Sequence, residues 1–164
     1  GLSSKGGVFY KQIRVGRNNK DFKLYKFRSM RVNSDKQGLL TVGSKDSRIT
    51  KAGYFIRKYK IDELPQLFNV LKGDMSFVGP RPEVRRYVDL YSKEQMKVLS
   101  VRPGITDPAS IKYRNENDIL SSASNPEEYY IQHIMPDKLK INIDYINTQT
   151  FIKDIKIIFQ TIFG

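Results

Sequence analysis

The chain has 164 residues, of which 39% are hydrophobic, enough for one folded domain with its own core. It contains no cysteine and one histidine, which excludes disulfides and metal sites built from cysteine or from several histidines. A metal would therefore need oxygen ligands, as Mg²⁺ does. The formal net charge of +12 implies an anionic partner: nucleic acid, an anionic membrane surface or a phosphorylated substrate.

The first predicted element is a β-hairpin. Residues 8–15 and 22–30 are rich in aromatic and β-branched side chains, and residues 17–20 between them have turn chemistry. Period-two alternation places four side chains on one face of the second strand: Phe22, Leu24, Lys26 and Arg28. The two cations would lie side by side, either as solvated edge charges or as part of a binding site.

A polar, glycine-containing segment at residues 32–47 is predicted to be a loop over a site. Thr50 is a candidate N-cap for a helix over residues 51–58, which would deliver Arg57 five residues before Asp62. The inward side chains of this helix are predicted to be Ala52, Phe55 and Ile56.

Residues 61–82 carry the most informative pattern, IDELPQLFNVLKGDMSFVGPRP. Four apolar residues have the spacing of a short amphipathic helix: Leu64, Leu67, Phe68 and Leu71. Gly73 then stands at the C-terminal cap, and Asp62 and Glu63 stand at the N-terminus, where backbone N–H groups stabilise carboxylates or a bound phosphate. The alternative is that Asp62 is an N-cap and Glu63 an ordinary first-turn acid.

The Gly-Pro-Arg-Pro exit presents Arg81 from a stiff backbone. Pro80 and Pro82 each lack an N–H and fix φ, which keeps the segment out of a helix or a sheet interior. A guanidinium held in this way suits bidentate binding of phosphate. The alternative is a rigid loop before the next helix.

The following region is predicted to be mainly helical. Val84, Tyr87, Val88 and Tyr91 repeat the helical spacing, and Ser92 with Gln95 resembles a capping box that opens a further helix. The VRPGIT sequence at residues 101–106 is predicted to be a rigid turn.

Residues 117–125 are predicted to be a polar loop, followed by a helix that begins at Asn125 and Pro126 and that Pro136 ends or interrupts. The last helical pattern, at residues 151–164, has an apolar side comprising Phe151, Ile155, Ile158, Phe159 and Ile162. It is either a terminal core helix or a helix lying in a membrane interface. No apolar run reaches the roughly 18 residues that a membrane-spanning helix needs.

Three motifs together resemble the catalytic domain of the bacterial sugar transferase family, the monotopic polyprenyl-phosphate phosphoglycosyl transferases. They are YKQIRVGRNNKDFKLYKFRSM at residues 10–30, DELPQLFNVLKGDMSFVGPRP at residues 62–82, and VRPGIT. The resemblance runs from about Gly7 to the C-terminus. It implies an α+β fold: a mostly helical single domain over residues 1–164 with an N-terminal β-hairpin and amphipathic interfacial helices.

The resemblance also implies the chemistry. Asp62 would attack the β-phosphate of a UDP-sugar, release UMP and carry the phosphosugar, while Glu63 would hold Mg²⁺ as the second catalytic residue. A polyprenyl phosphate, expected to be undecaprenyl phosphate, would then accept the phosphosugar in the first membrane step of surface-glycan synthesis. The implied substrate-binding residues are Lys26, Arg28, Arg57, Pro80, Arg81 and Pro82.

Members of this family carry a membrane-inserted N-terminal helix, and this chain starts where that helix would end. We therefore expect a truncated protein that acts at the cytoplasmic face of the bacterial inner membrane. Whether it forms a homodimer stays open. The sequence DPAS at residues 107–110 replaces the GLAQ of many relatives, which leaves the sugar open as well.

Two other function classes fit the composition. The charge and the interleaved aromatic residues permit a nucleic-acid-binding module, although no recognised nucleic-acid-binding motif is present. A non-catalytic domain on a membrane surface is the other alternative, and it would be favoured if Asp62→Asn left activity intact.

Overall fold

A computed structural model describes residues 7–34, 38–43 and 46–163. Short helices predominate, and the strands of the described chain form two separate two-stranded sheets. The predicted α+β class with an N-terminal hairpin is confirmed. The predicted loop over the site falls partly on residues 35–37 and 44–45, which lie outside the described residues.

The hairpin consists of β1 (Phe9–Val15) and β2 (Asp21–Phe27), which pair antiparallel. Its connection is a single 3₁₀ turn at Arg17–Asn19, in which Asn18 and Asn19 adopt positive φ angles of 57° and 60°. Asparagine tolerates this left-handed conformation better than most residues do. The predicted hairpin is therefore confirmed, with Arg28 one residue beyond the second strand.

Helix α1 spans Lys51–Lys58, as predicted, and the Thr50 hydroxyl accepts a hydrogen bond from the Gly53 N–H at 2.9 Å. The predicted inward face is wrong for Ala52, which is exposed, and for Phe55, which is 61% exposed. The helix instead packs through Gly53, where an added Cβ would collide with the Ser29 carbonyl. The close approach of that carbonyl selects the buried face, because only glycine leaves room for it.

The predicted helix after residue 61 is divided in two. Ile61–Glu63 form one 3₁₀ turn, entered through Lys60 at φ 56°, and α2 spans Gln66–Leu71. Pro65 lies between them and has no N–H to continue a helix. Asp62 and Glu63 therefore lie in the 3₁₀ turn rather than in α2, and Asp62 makes no side-chain cap.

Helix α2 ends as predicted but has its polar side inward. The Gly73 N–H donates to the Val70 carbonyl at 2.9 Å, with Gly73 at φ 81°. Gln66 and Asn69 are 1% and 0% exposed. The predicted apolar stripe is exposed instead: Leu64, Leu67, Phe68 and Leu71.

Asn69 joins α2 to the hairpin. Its Oδ1 accepts from the Tyr25 backbone N–H at 3.0 Å, and its Nδ2 donates to the Lys23 carbonyl at 2.8 Å. One carboxamide thus satisfies a backbone donor and a backbone acceptor on the edge of β2, as a neighbouring strand would.

A second sheet was not predicted. Strand β3 (Ser76–Val78) pairs in parallel with β4 (Gly104–Thr106), so the rigid turn predicted for VRPGIT is wrong in this part. The pairing continues past the strands, because the Gly104 N–H donates to the Pro80 carbonyl at 3.0 Å. Strand β4 thereby fixes the start of the Pro-Arg-Pro segment.

Short helices follow each strand of this sheet. Helix α3 spans Arg85–Val88, and the predicted capping box is confirmed by reciprocal hydrogen bonds between Ser92 and Gln95 at 2.8 Å and 3.2 Å. The helix that it opens is a 3₁₀ helix at Gln95–Ser100. Helix α4 spans Pro108–Lys112.

The polar loop predicted at residues 117–125 is wrong, because α5 occupies Glu116–Ser121. Leu120 in this helix is 1% exposed and packs into the core. Burial of this apolar side chain stabilises a helix in an otherwise polar segment.

The main core lies beneath α6 (Pro126–Tyr129), a π-helical turn at Tyr130–Ile134, and α7 (Met135–Thr148). Asn125 caps α6, and Pro136 is the second residue of α7, which follows the π turn, so the predicted interruption is confirmed. The buried members of the core come from α3 to α7: Val84, Tyr87, Val98, Leu120, Tyr130, Ile134, Met135 and Leu139.

Helix α8 spans Phe151–Phe163 and packs against the rest of the domain along one narrow side. Ile157 is 4% exposed, and the Thr161 hydroxyl lies 2.6 Å from that of Thr106. Most of the predicted apolar side is exposed, with Phe151 at 80% and Phe159 at 63%. No helix in the described ranges is long and apolar enough to cross a membrane.

Candidate functional site

The eight predicted site residues line one cavity of about 380 Å³. The cavity lies where the hairpin, α1, the 3₁₀ turn before α2 and the Pro-Arg-Pro segment meet. These residues are Lys26, Arg28, Arg57, Asp62, Glu63, Pro80, Arg81 and Pro82. The fold therefore collects residues that are up to 56 positions apart in the sequence, from Lys26 to Pro82.

Glu63 is bound by two cations. Arg81 donates to both of its oxygens, with 3.2 Å between Nη1 and Oε2, and the Lys26 Nζ lies 3.4 Å from Oε1. Burial alone would raise the pKa of Glu63, but the charges of Arg81 and Lys26 outweigh it and hold that pKa well below its usual range. Glu63 is therefore a permanent carboxylate.

Asp62 has the opposite environment. It is 6% exposed, and no residue within the described ranges donates a hydrogen bond to its carboxylate. Burial raises the pKa of Asp62, and the nearby charges of Lys26 and Arg57 oppose that rise. Of the two carboxylates that line the cavity, Asp62 is thus the less stabilised.

Lys26 reaches the site from β2. Burial lowers the pKa of its amine to about 8; Glu63 opposes this shift, whereas Arg81 and Arg14 add to it. Its charge is therefore sensitive to pH near neutrality. The prediction from strand alternation is consistent with this position, because Lys26 lies on the side of the hairpin that faces the cavity.

Two further cations lie at the cavity wall with protein partners. The Arg57 Nη2 donates to the Thr41 hydroxyl at 3.1 Å, which links α1 to the segment at residues 38–43. Arg28 donates to the carbonyl oxygens of Gly7 and Phe9 at 2.9 Å and 3.3 Å. Arg28 thus helps to close the open end of the hairpin, as well as lining the cavity.

Arg81 lies between two fixed carbonyl groups. The Pro80 carbonyl accepts from the Gly104 N–H at 3.0 Å, and the Pro82 carbonyl accepts from the Arg14 Nη1 at 3.1 Å. The sequence predicted a stiff presentation of this guanidinium, and both flanking peptide groups have the partners that such stiffness requires.

A family model described as bacterial sugar transferase matches residues 1–164. The chain belongs to the bacterial sugar transferase family. This membership confirms the resemblance of the three motifs and favours an enzyme over a nucleic-acid-binding module.

The chain is similar to several curated members of this family. It is 42% identical over 164 residues to a UDP-N-acetylgalactosamine-undecaprenyl-phosphate N-acetylgalactosaminephosphotransferase of Aeromonas hydrophila, covering 98% of this chain and 36% of the relative. It is 42% identical to the uncharacterized sugar transferase EpsL of Bacillus subtilis, covering 94% of this chain and 68% of EpsL. It is 37% identical to the UDP-glucose:undecaprenyl-phosphate glucose-1-phosphate transferase of Escherichia coli, covering 99% of this chain and 33% of the relative.

The chain thus spans about a third of the length of two of these relatives and two thirds of EpsL. The names of the Aeromonas hydrophila and Escherichia coli relatives both include undecaprenyl phosphate and differ in the sugar.

Several residues of the candidate site were not predicted from the sequence. Arg14 and Gln12 lie on β1 and face the same cavity as Lys26, and Glu83 directly follows Pro82. Period-two alternation carried across the hairpin could have identified the two β1 residues, because strands paired in register share their faces. Glu83 gave no signal of its own, since an acid after a proline is common in a loop.

The carboxylates of Asp62 and Glu63 supply the acidic oxygens at the centre of the site. The described part of the chain contains no group of three or more His, Cys, Asp or Glu residues that could hold a metal ion. Mg²⁺ commonly binds through one or two carboxylates together with substrate phosphates. The two carboxylates fit that mode, but not an all-protein metal cage.

Proposed function

We propose that this chain is the catalytic part of an enzyme that moves a sugar 1-phosphate from a UDP-sugar to a polyprenyl phosphate. One observation carries the proposal: of two adjacent carboxylates, Glu63 is held by Arg81 and Lys26, whereas Asp62 has no hydrogen-bond donor among the described residues. A covalent nucleophile needs such an uncommitted carboxylate beside a cationic surface that accepts phosphate.

In the first step, an Asp62 oxygen attacks the β-phosphorus of the donor. A phosphorus–oxygen bond forms to Asp62, and the bond from the β-phosphorus to the bridging oxygen breaks. UMP leaves with that electron pair, and the phosphosugar remains on the aspartate. Arg81, Lys26 and Arg57 reduce the repulsion between the carboxylate and the diphosphate, and they stabilise the charge that develops on the leaving group.

In the second step, a phosphate oxygen of the polyprenyl phosphate attacks the same phosphorus. The bond to Asp62 breaks, the aspartate regains its electron pair, and a polyprenyl-diphosphate-sugar is released. Undecaprenyl phosphate is the acceptor that we propose, because relatives over almost the whole of this chain carry it in their names. The product would be the first lipid-linked intermediate of a surface glycan.

Glu63 would hold Mg²⁺ alongside the donor phosphates, which would supply further positive charge to the transferred group. The pKa of Glu63 lies well below its usual range, so its oxygens are unprotonated at any working pH. Arg81 now occupies those oxygens, and its transfer to the diphosphate would free them.

The apolar residues that point outward support work at a membrane surface. Helix α2 presents Leu67, Phe68 and Leu71, and α8 presents Phe151 and Phe159, all more than 40% exposed. In α2 the buried positions, Gln66 and Asn69, are polar, which is the reverse of a water-soluble amphipathic helix. With the net charge of +12, the exposed apolar side chains suit the anionic face of the inner membrane.

The test is intact-protein mass spectrometry after incubation with Mg²⁺ and a UDP-sugar. UDP-N-acetylgalactosamine, UDP-glucose and UDP-galactose form the first panel, since relatives differ in the sugar and residues 107–110 depart from the common GLAQ. The proposal expects a phosphosugar adduct on the wild type and none on Asp62→Asn. An adduct that persists in Asp62→Asn would refute the assigned nucleophile.

A further inference from the structure

Glu83 lies at the centre of a hydrogen-bond network behind the Pro-Arg-Pro segment. Its Oε1 accepts from the Arg14 Nη1 and from the Val84 N–H, both at 2.9 Å. Its Oε2 accepts from the Tyr130 hydroxyl at 2.6 Å, and its backbone carbonyl accepts from the Val15 N–H at 2.9 Å. Four donors therefore fix this residue on three sides.

Arg14 is equally committed. Its Nε and Nη2 donate to the Gln12 side-chain oxygen at 3.2 Å and 2.9 Å, and its Nη1 is shared between Glu83 and the Pro82 carbonyl. Because a guanidinium holds its donors in one plane, these contacts set the position of Pro82 relative to β1.

Tyr130 joins the network from the π-helical turn and lines the same cavity. It is 3% exposed and is the first residue of the π-helical turn, whose wider geometry often occurs at functional positions. Burial and the adjacent Glu83 carboxylate raise the pKa of Tyr130 well above 10, so its hydroxyl remains a donor.

The network acts on the backbone on either side of Arg81. Arg14 holds the Pro82 carbonyl, while Gly104 of β4 holds the Pro80 carbonyl. The two prolines fix φ on both sides, so little freedom remains in the direction of the Arg81 Cα–Cβ bond. A guanidinium that must meet a diphosphate benefits from such prior placement.

We propose that Arg14, Glu83 and Tyr130 are positioning residues, which hold the backbone so that the Arg81 guanidinium can bind the diphosphate of the donor. This inference rests on the proposed function, because the donor is the ligand that Arg81 would meet. It assigns these three residues no contact with the substrate. Their effect on binding and catalysis should therefore pass entirely through Arg81.

A double-mutant cycle with inorganic pyrophosphate tests this without turnover. The dissociation constant is measured calorimetrically for the wild type, Glu83→Gln, Arg81→Ala and the double variant. Glu83→Gln is expected to weaken binding about tenfold in the wild-type background and less than about twofold in Arg81→Ala. Equal losses in both backgrounds would show that Glu83 acts independently of Arg81, and an unchanged constant in Glu83→Gln would also overturn the inference.

Tyr130→Phe provides a milder variant that keeps the ring and its packing against Tyr87, 5.1 Å between centroids. Tyr87→Phe is the matched control, because its hydroxyl lies against Glu127 at 3.4 Å and not against Glu83. Tyr130→Phe is expected to weaken pyrophosphate binding about threefold through Arg81. An equal loss in Tyr87→Phe would refute the positioning role.

The Asp62 adduct separates this inference from the proposed function. Suppose that the wild type forms the adduct but Glu83→Gln weakens pyrophosphate binding equally with and without Arg81. The positioning role would then be overturned, and the proposed function would stand. A wild-type protein that binds no pyrophosphate would overturn the positioning role as well, because Arg81 would then not be an anion ligand. Absence of the adduct, with the expected cycle intact, would count against the proposed chemistry and leave the positioning role standing.

Discussion

Arg81 donates to both carboxylate oxygens of Glu63, and its Nη1 lies 3.2 Å from Oε2. The planar fork that makes this bidentate contact has the same geometry that binds two oxygens of a phosphate. In the proposed reaction, the donor diphosphate and Glu63 would therefore compete for one guanidinium. Once a bound donor has drawn Arg81 away from Glu63, another cation would bind the Glu63 carboxylate more readily.

Arg81→Lys should lower kcat/KM for the donor about 100-fold. Lysine keeps the charge but cannot make two parallel hydrogen bonds, and the loss of one preorganised donor costs a factor of this order. The measurement is the rate of UMP release at subsaturating donor. Arg85→Lys is the control, since Arg85 pairs with Asp21 on the surface at 2.5 Å and should change the rate less than about twofold. A change below about threefold in Arg81→Lys would contradict the bidentate role.

The activity should fall as the pH rises through about 8, because burial lowers the pKa of Lys26 to about 8 and its charged form is the one that attracts phosphate. The fall should appear in kcat/KM, which reports the free enzyme. In kcat it should lie at higher pH, since bound phosphate favours the protonated amine. Lys26→Arg should remove the fall, because arginine stays charged. A wild-type profile retained in Lys26→Arg would exclude Lys26 as its source.

Asp62→Asn should raise the free energy of unfolding at pH 7 by about 1 kcal/mol while abolishing activity. The pKa of Asp62 is raised by burial, so its ionised form costs stability as the pH rises through that value, and asparagine removes the cost. Below the ordinary aspartate pKa of about 3.9 the two proteins should converge. Urea unfolding of both proteins at pH 7 and at a pH below about 3.9 measures this difference in the free energy of unfolding.

Glu63→Gln is the matched comparison, and it should change the free energy of unfolding in the opposite direction. The pKa of Glu63 is held low by Arg81 and Lys26, so its carboxylate stabilises the fold above the usual glutamate pKa, and that contribution is lost on acidification. The amide should lower the free energy of unfolding at pH 7 by about 3 kcal/mol. Changes of the same sign in the two variants would contradict the asymmetry of the pair.

Phe159→Glu should lower the partition onto phosphatidylglycerol-containing vesicles about tenfold, with an unchanged unfolding midpoint. Phe159 is 63% exposed and packs against Phe163, so its removal costs little core, whereas its insertion into lipid would be worth about 1.5–3 kcal/mol. Co-sedimentation measures the partition. Gln160→Glu adds the same charge at the next exposed position and should have a much smaller effect. Equal losses of vesicle binding in Phe159→Glu and Gln160→Glu would show that the added charge, and not the lost phenyl ring, weakens the partition.

Local patterns predicted much of this fold. The hairpin, the Thr50 cap, the Ser92 capping box and the Gly73 stop all depend on neighbouring residues, and all are confirmed. Patterns of apolar spacing located helices but not the side that they bury. In α1 and α2 the buried side is set by Gly53 and Asn69, which contact backbone groups distant in sequence.

The pairing of β3 with β4 escaped prediction for a related reason. Each strand has three residues, too few for a periodic signal, and a parallel partner lies 28 positions away. The motifs, whose order matches a family, predicted a set of residues that the fold brings to one cavity. The residues that support them from behind, such as Glu83 and Tyr130, meet only in three dimensions.

Asn69 also determines which side of the hairpin can face the carboxylates of Asp62 and Glu63. Its carboxamide matches one backbone N–H and one backbone carbonyl of β2, two residues apart. A slip of that strand by one residue would break both hydrogen bonds and turn Lys26 away from Glu63, since adjacent strand residues point to opposite sides. The Asn69 side chain, which lies outside the cavity, thus fixes the register of β2 that places Lys26 beside Glu63.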